Sequence, residues 1–304
     1  GLMVLGDHKE MLRAVEYAID SGINYFDTAR MYGDGLSEIH TGAILRELDR
    51  TDLLIGTKVR IAGDEFEDIS KTISDQIDNS LRRLGIDTID IVYTHNTIGA
   101  ERNVPSGTLS VDDLNSVVKV FEKTVAEGKL RYWGFNGLGQ TNSIKEALAQ
   151  YSPSGVHTCY NMLNPTSGYK LPKTFPYQNY DGLMTAASED GIGTVGIRIL
   201  AGGALSGSME RHPIAQQNVA PIATSSTFRE DVSRALTFEF LVNEGFVDNL
   251  AEASIRFAIS NDNLDTALIG LSNFDQLKQA VNYTNKGVLP KEALDKISGI
   301  WAVS

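Results

Sequence analysis

Short β-rich segments alternate with longer amphipathic segments along the whole 304-residue chain. Parallel strands need a long crossover between them, usually a helix, so this alternation is typical of a parallel sheet built from βα units. The chain therefore predicts an α/β fold. The seven predicted strands are Ile23 to Ala29, Asp52 to Val59, Thr88 to His95, Arg131 to Asn136, Val156 to Asn161, Thr194 to Leu200 and Asp265 to Leu271. The predicted helical segments are His8 to Ser21, Ser37 to Leu48, Ile69 to Leu84, Val111 to Ala126, Ser143 to Gln150, Gly182 to Glu189 and a longer region from Thr227 to Ile259.

The pattern favours a single (β/α)8 barrel domain over residues 1–304. Several of the strands are apolar on both faces, which suits a sheet covered by helices outside and packed inside. No Pro/Ser linker or low-complexity tract divides the chain. The alternative architecture is an open doubly wound sheet, which would usually show G-x-G-x-x-G after the first strand if it bound a dinucleotide. No such run occurs near the start of this chain.

Composition excludes several classes of protein. With 42% hydrophobic residues the chain can form a large core, which rules out wholesale disorder. The 27 Lys+Arg against 39 Asp+Glu give a formal net charge of −12, and no dense basic run is present, so we expect no nucleic-acid partner. An anionic ligand would have to be bound by local groups.

The single cysteine, Cys159, argues against both a disulfide scaffold and a multi-thiolate zinc site. We therefore expect no metal site, and a reducing cytoplasm is the default location. The apolar stretches, such as Leu2 to Leu5, are far shorter than the roughly 20 residues that span a bilayer. No membrane partner is expected.

Ionisable residues stand at the C-terminal ends of three successive predicted strands, where barrel enzymes place their active sites. Asp27 ends the first strand, Lys58 the second and His95 the third, and Tyr32 follows Asp27 by five residues on the next loop. These four side chains are predicted to converge on one pocket. Taken singly, an Asp at a turn is more often a structural cap, and a Tyr more often packs than acts as an acid.

Together the four suit carbonyl reduction. A carbonyl that accepts hydride develops charge on oxygen, and a nearby acid delivers a proton to it. Tyrosine has an unperturbed pKa of about 10, but an adjacent Lys ammonium stabilises the phenolate. A carboxylate would keep the Lys charged and oriented, and a His could form a hydrogen bond with the substrate oxygen.

Four segments resemble the aldo-keto reductase superfamily, and the likeness extends over nearly the whole chain. They read GINYFDTARMYGDGLSEIHTGAIL, GTKV, SLRRLGIDTIDIVYTH and GKLRYWGFNG. The resemblance implies a (β/α)8 barrel that binds NADPH, less often NADH, without a Rossmann motif. It also implies that Asp27, Tyr32, Lys58 and His95 form the catalytic tetrad, with Tyr32 as proton donor.

The nicotinamide side of the cofactor site departs from the family pattern that the resemblance implies. Asn136 stands where the family usually has Ser, and His157 where it usually has Gln. Ile197 replaces the stacking aromatic residue, and Arg198 occupies a commonly small position. Arg198 is a candidate to bind the pyrophosphate or a substrate anion, with a structural ion pair as the alternative.

The other cofactor positions that the resemblance implies lie on two later segments. Gly202 begins the run GGALSG (Gly202 to Gly207), which resembles the family's loop over the pyrophosphate, and Leu200 lies two residues before it. A plain Gly-rich surface loop is the alternative. Gly270, Ser272 and Gln276 match the adenosine-side segment of the potassium-channel β-subunit branch. NADP is the expected cofactor because it is the one that the family usually binds. The Lys and Arg that often bind the 2′-phosphate are missing from this segment, so NAD is the alternative.

Three functions are compared. The first is an NAD(P)H-linked oxidoreductase acting on a small-molecule aldehyde, ketone or sugar. The second is a regulatory module that binds the cofactor without catalysis. The third, a hydrolase using Asp27 and Glu38, is disfavoured because it leaves Lys58 unexplained. The sequence indicates neither the substrate nor an oligomeric state.

The N-terminus is short for this family pattern. The resemblance implies a small hairpin and a first barrel strand before the helix that begins near His8, and only Gly1 to Asp7 are available. We expect Gly1 to Leu5 to form the closing end of that first strand, which would make eight, and the hairpin to be missing from this chain.

Overall fold

The computed structural model of the chain describes residues 1–49, 52–172 and 174–302. They fall into two compact units. The N-terminal unit comprises residues 2–157, and the C-terminal unit comprises Gly1 together with residues 158–304. The single-domain assignment stays a prediction.

The N-terminal unit alternates strands and helices as predicted. Strands β1, β2, β3, β6 and β7 run parallel to one another in that order. The short strands β4 and β5 form a separate parallel pair within the segment from Thr97 to Ser110, for which the sequence predicted neither a strand nor a helix. The elements are α1 (Leu2–Leu5), α2 (His8–Asp20), β1 (Tyr25–Asp27), α3 (Leu36–Glu47), β2 (Leu54–Val59), α4 (Ile69–Leu84), β3 (Ile89–Thr94), β4 (Thr97–Gly99), β5 (Thr108–Ser110), α5 (Val111–Ala126), β6 (Leu130–Asn136), α6 (Thr141–Tyr151) and β7 (Gly155–Cys159), which ends in the other unit.

Helix α4 illustrates why the sequence folds this way. Its buried stripe of Ile73, Ile77, Leu81 and Leu84 follows helical spacing. The Asp68 carboxylate caps the first turn by accepting from the Lys71 amide at 2.9 Å, and Gly85 ends the helix in the left-handed conformation at φ 65°. The helix therefore begins and ends where its side chains specify.

The C-terminal unit contains the remaining strands and helices. Strand β8 pairs with β9 in parallel through Val195 with Thr266 and Gly196 with Ala267. The core of this unit contains an aromatic group in which Tyr160 stacks on Phe257, and Trp301 meets Phe257 edge to face. The elements are α7 (Leu183–Glu189), β8 (Gly193–Ile197), α8 (Phe228–Ala235), α9 (Phe240–Asn243), α10 (Leu250–Ala258), β9 (Thr266–Ala267), α11 (Phe274–Asn285) and α12 (Lys291–Ala302).

Two predictions about secondary structure are wrong. The single helical region from Thr227 to Ile259 is divided, because Gly245 has φ 79° and Asn249 starts a new helix by accepting from the Glu252 amide at 2.9 Å.

The first five residues do not end a strand. Leu2–Leu5 is a helical turn: the Gly6 amide donates to the Leu2 carbonyl at 2.8 Å, and His40 Nδ1 lies 3.0 Å from the Met3 carbonyl. Carbonyls engaged in this way are not available to a sheet.

The contact between α3 and the end of α4 depends on Gly42. A Cβ at this position would overlap the Leu84 carbonyl, which also accepts from Arg46 Nη1 at 2.9 Å. We expect Gly42→Ala to lower the free energy of unfolding by about 1–3 kcal/mol through this backbone clash. The matched control is Gly299→Ala in α12, where a Cβ meets nothing within 4 Å; helix propensity there predicts a gain of about 0.5–1 kcal/mol. Urea unfolding measures both changes, and equal effects would refute the close approach.

Candidate active site

The ends of β1 and β2 bring the predicted Asp27 and Lys58 together in the N-terminal unit. Asp27 on β1 pairs with Gly56 on β2 in the parallel register. Lys58 is two residues after Gly56, so its side chain points to the same face of the sheet as that position. Lys58 Nζ donates to Asp27 Oδ2 and, at 2.8 Å, to the Thr28 carbonyl. The side chain of Lys58 is only 3% exposed. This ammonium therefore has two oxygen partners in a place that water barely reaches.

Tyr32 and His95 complete the group. Lys58 Nζ lies 4.9 Å from the centroid of the Tyr32 ring, and the Tyr32 and His95 rings meet edge to face with centroids 6.0 Å apart. Tyr32 is 38% exposed, whereas His95 is half-buried. The predicted convergence of these four side chains is thus present in the geometry, and Tyr32 is its solvent-facing member.

The charges of Asp27 and Lys58 support each other. Burial acts to lower the pKa of Lys58, but the Asp27 carboxylate and then the Tyr32 hydroxyl outweigh it, so the pKa is raised. Burial raises the pKa of Asp27, and the Lys58 ammonium opposes that rise. Lys58 therefore stays an ammonium, and Asp27 is its counter-ion.

His95 is neutral at physiological pH. Burial, followed by the positive charges of Lys58 and Arg60, lowers the pKa of His95 to about 4. Its Nδ1 atom is buried and has no hydrogen-bond partner among the described residues. A neutral imidazole has one N–H group to donate and one nitrogen to accept, so it can hydrogen-bond an oxygen without adding charge.

Glu38 is not available as a second catalytic carboxylate. It is fully buried; Thr57 Oγ1 donates to its Oε1 at 2.6 Å, and Arg83 Nε donates to its Oε2 at 2.6 Å. Both oxygens therefore have structural partners, which argues against the hydrolase alternative.

Two predicted cofactor residues lie in the same unit as the four side chains. Asn136 is buried at the end of β6, and its Nδ2 donates to the carbonyls of His95 and Asn96 at 3.4 and 3.5 Å. His157 in β7 is 1% exposed and stacks on Tyr93, with ring centroids 3.9 Å apart. Its Nε2 lies 3.9 Å from Asp27 Oδ1. His157 is therefore a neighbour of the Asp27 carboxylate, a position that its place in the sequence did not reveal.

The remaining predicted cofactor residues belong to the C-terminal unit. Ile197 ends β8, and Leu200 precedes a 3-10 turn that includes Gly202 at φ 69°. Arg198 has φ 60°, which is unusual for a residue with a side chain, and its Nη1 donates to the Ala220 carbonyl at 3.4 Å. The loop that starts at the end of β8 thus has an irregular backbone.

Sequence reasoning missed Arg211, which lies beside this loop. Arg211 Nη1 donates to the Gly202 carbonyl at 2.8 Å. Burial and then the charge of Arg198 lower the pKa of Arg211, so the two guanidinium groups lie close enough to repel. A Cβ at Gly202 would lie 2.8 Å from Arg198 Nη1, and one at Gly203 would lie 3.0 Å from Arg211 Nη1. The only signal in the sequence is a second Arg shortly after the Gly-rich run.

Gly270, Ser272 and Gln276 lie at the start of α11. The Asn273 side chain caps this helix by accepting from the Gln276 amide at 2.9 Å, and Gln276 Oε1 accepts from the Ser272 amide at 2.8 Å. A Cβ at Gly270 would meet nothing within 4 Å. The approach to this helix N-terminus along Gly270 is therefore open.

Comparison with known proteins identifies the family. The model of the Aldo/keto reductase family matches residues 1–302. The chain belongs to the aldo/keto reductase family. That membership makes it one of the NAD(P)-linked oxidoreductases as a class and confirms the (β/α)8 barrel as its fold, rather than a doubly wound sheet. The resemblance predicted from the sequence is thus confirmed.

The chain is similar to relatives with different named functions. The chain is 25% identical to a probable voltage-gated potassium channel subunit beta of Oryza sativa subsp. japonica, covering 97% of this chain and 88% of the relative. It is 23% identical to the L-galactose dehydrogenase of Arabidopsis thaliana, covering 96% of this chain and 84% of the relative. A solved aldo-keto reductase of Klebsiella pneumoniae in complex with NADPH has a TM-score of 0.69 at 20% identity, with 97% of this chain and 86% of that chain covered. Within the described ranges, no helix is both long and apolar enough to cross a bilayer.

The neutral state of His95 predicts a loss of stability in acid. Its pKa is depressed on folding, so the unfolded chain binds the proton first, and stability falls as pH drops from about 6.5 toward about 4. We expect the free energy of unfolding to fall by about 1–2 kcal/mol more between pH 7.5 and pH 5.0 in the wild type than in His95→Asn. Urea unfolding at the two pH values measures this difference. Identical losses in the two proteins would contradict a neutral His95.

Proposed function

We propose that this protein is an NAD(P)H-dependent oxidoreductase that interconverts a carbonyl compound and an alcohol, with Tyr32 as general acid. The observation that carries the proposal is the buried Lys58 ammonium, paired with Asp27 and 4.9 Å from the Tyr32 ring centroid, with neutral His95 against the same tyrosine. A charged lysine behind an accessible phenol is an arrangement suited to proton transfer.

Each side chain has a distinct part in carbonyl reduction. A bound nicotinamide cofactor would supply the hydride for the carbonyl carbon. Tyr32 donates its hydroxyl proton to the carbonyl oxygen, and the Lys58 ammonium stabilises the phenolate that remains. Asp27 keeps Lys58 protonated and oriented, and neutral His95 donates a hydrogen bond to the oxygen on which charge develops. Alcohol oxidation uses the same groups in reverse.

Residues of the C-terminal unit fit an anionic dinucleotide. Arg198 and Arg211 carry charges beside Gly202 and Gly203, where backbone without side chains permits close approach, and α11 presents its N-terminus after the open Gly270. The Klebsiella pneumoniae structure described above contains NADPH. NADP is the proposed cofactor, and NAD is the alternative.

The relatives and the chemistry of the site support a substrate class. A small aldehyde, ketone or sugar is proposed, since L-galactose dehydrogenase is a relative that acts on a sugar. The second candidate function, a cofactor-binding module without catalysis, is favoured by the relative that is a probable channel subunit.

A reducing compartment such as the cytoplasm is the proposed location, because the one cysteine is free and buried.

The first test removes the proton donor alone. We expect Tyr32→Phe to bind cofactor as the wild type does and to reduce a panel of aldehydes and sugars about 10²–10⁴-fold more slowly, because the general acid is lost. The matched control is Tyr132→Phe, a tyrosine 55% exposed in β6, which should leave turnover unchanged. Wild-type turnover by Tyr32→Phe would show that the tetrad assignment is wrong. Cofactor binding without turnover in the wild type would favour the binding module.

The second test concerns the cofactor. Fluorescence titration with NADPH and NADH should give saturable binding, weaker at high salt because the ligand is an anion held by guanidinium groups. We expect Arg198→Met and Arg211→Met each to raise Kd about tenfold or more, the loss of a charge-assisted contact. Arg229→Met, an exposed arginine at the start of α8, is the control and should not change Kd. Absence of binding by either nucleotide would overturn both cofactor-based functions.

A further inference from the structure

His157 and Asp27 face each other with unused polar atoms. His157 Nε2 and Asp27 Oδ1 are both buried, are 3.9 Å apart, and have no hydrogen-bond partner among the described residues. The other carboxylate oxygen of Asp27, Oδ2, accepts from Lys58. A buried polar atom without a hydrogen-bond partner lowers the stability of the fold. Here two such atoms face each other, and their distance is about 1 Å longer than a hydrogen bond, so the pair needs an explanation.

The imidazole of His157 is fixed in this orientation. Its ring stacks on Tyr93 at a centroid separation of 3.9 Å and an angle of 27°. Its backbone is fixed as well, because β7 pairs with β6 through Asn136 and His157, and the Gly137 amide donates to the His157 carbonyl at 2.9 Å. A small movement of the ring along its stack would close the gap to Asp27, whereas turning it away would break the stacking.

The charge state of His157 decides which of its ring nitrogens is protonated. Burial, then the charge of Lys58 and the neighbouring His95, lowers the pKa of His157 well below its usual range, so the imidazole is neutral. A neutral imidazole has a proton on one nitrogen only. A bare Nε2 would set its lone pair against the Asp27 carboxylate and repel it, whereas Nε2–H would be attracted.

We propose that His157 is a positioning residue for the catalytic group: its Nε2–H donates to Asp27 Oδ1 and keeps the carboxylate turned so that Oδ2 pairs with Lys58. This deepens the proposed function, on which its kinetic consequence rests. His157 acts through Asp27 and Lys58 and touches neither the reacting carbonyl nor Tyr32. The imidazole of His157 is a rigid ring that can donate a hydrogen bond to this carboxylate.

Other groups also face this carboxylate. The Tyr25 hydroxyl lies beside Asp27 and acts to lower its pKa, while Lys58 acts in the same direction more strongly. Tyr93, whose ring stacks on His157, stays a neutral phenol because burial raises its pKa. Tyr25 is thus the competing donor to Asp27, and the test must separate it from His157.

The direct test is the protonation pattern of His157 by NMR. In the wild-type protein labelled with ¹⁵N-histidine, long-range ¹H–¹⁵N correlations distinguish the protonated from the bare ring nitrogen, and His157→Gln identifies the signals of His157 among the five histidines. We expect a neutral ring with the proton on Nε2 throughout pH 5–9. A bare Nε2 would overturn the proposal, whether or not the protein has reductase activity.

The kinetic test compares variants with and without a donor. Removing the donor raises the pKa of Asp27, so we expect His157→Leu to move the acid limb of kcat/KM to higher pH by about half to one unit. His157→Gln retains an N–H donor and should restore the profile to within a few tenths of a unit. Tyr25→Phe measures the competing donor, and His8→Gln, on the exposed face of α2, is the control that should change nothing.

The outcomes separate this proposal from the proposed function. The same acid limb in His157→Leu, His157→Gln and the wild type would overturn the positioning role, as would a shift produced by Tyr25→Phe alone. If the wild type reduces no carbonyl compound, the proposed function fails, and the NMR result still decides where the His157 proton lies. Should His157→Leu fail to fold, the wild-type spectrum and His157→Gln remain decisive.

Discussion

The buried pair of Asp27 and Lys58 is the interaction on which the rest of the site depends. An ammonium that is 3% exposed is stable only with an opposite charge and further oxygen partners, which Asp27 Oδ2 and the Thr28 carbonyl provide. The pairing requires β1 and β2 to lie in their observed register, since a shift of one residue would point Lys58 to the other face of the sheet. Gly56 contributes because a Cβ there would overlap the Tyr25 hydroxyl beside the pair. Charge pairing and strand register therefore depend on each other.

One consequence of this pair is that its neighbours remain uncharged. A further positive charge beside Lys58 would be repelled in a region of low polarity, so the imidazoles of His95 and His157 both have a depressed pKa. The site thus contains the ion pair of Lys58 and Asp27 and two neutral imidazoles, with the charge of Arg60 also near His95 and with Tyr32 accessible. A substrate oxygen that develops negative charge would find a nearby ammonium that needs no rearrangement, which is the electrostatic condition for efficient catalysis.

The sequence predicted those features that rest on local periodicity or on position at a strand end. All strands except β4 and β5 were predicted, although most of the observed strands are shorter, and α4 and α5 have the predicted bounds. Asp27, Lys58 and His95 could be grouped because parallel strands present their carboxyl ends at one edge. The direction of His157 could not be predicted, since in a strand buried on both faces alternation alone does not say which groups a ring meets. The contact of Arg211 with Gly202 was equally hidden, because it depends on the path of an irregular loop.

The same physical reasoning explains how a chain with a net charge of −12 can attract an anionic ligand. At that balance the long-range field repels anions, so binding has to come from cations placed within contact distance. Arg198 at φ 60° and Arg211 provide such cations beside two glycines. A left-handed backbone costs a non-glycine residue of the order of 1 kcal/mol, and the Arg198 carbonyl recovers part of this by accepting from Asn161 Nδ2 at 2.9 Å and from the Ala201 amide at 2.7 Å. A glycine would adopt this turn without that cost but would supply no charge. The turn at Arg198 therefore puts a guanidinium beside Gly202, which a glycine at this position could not do.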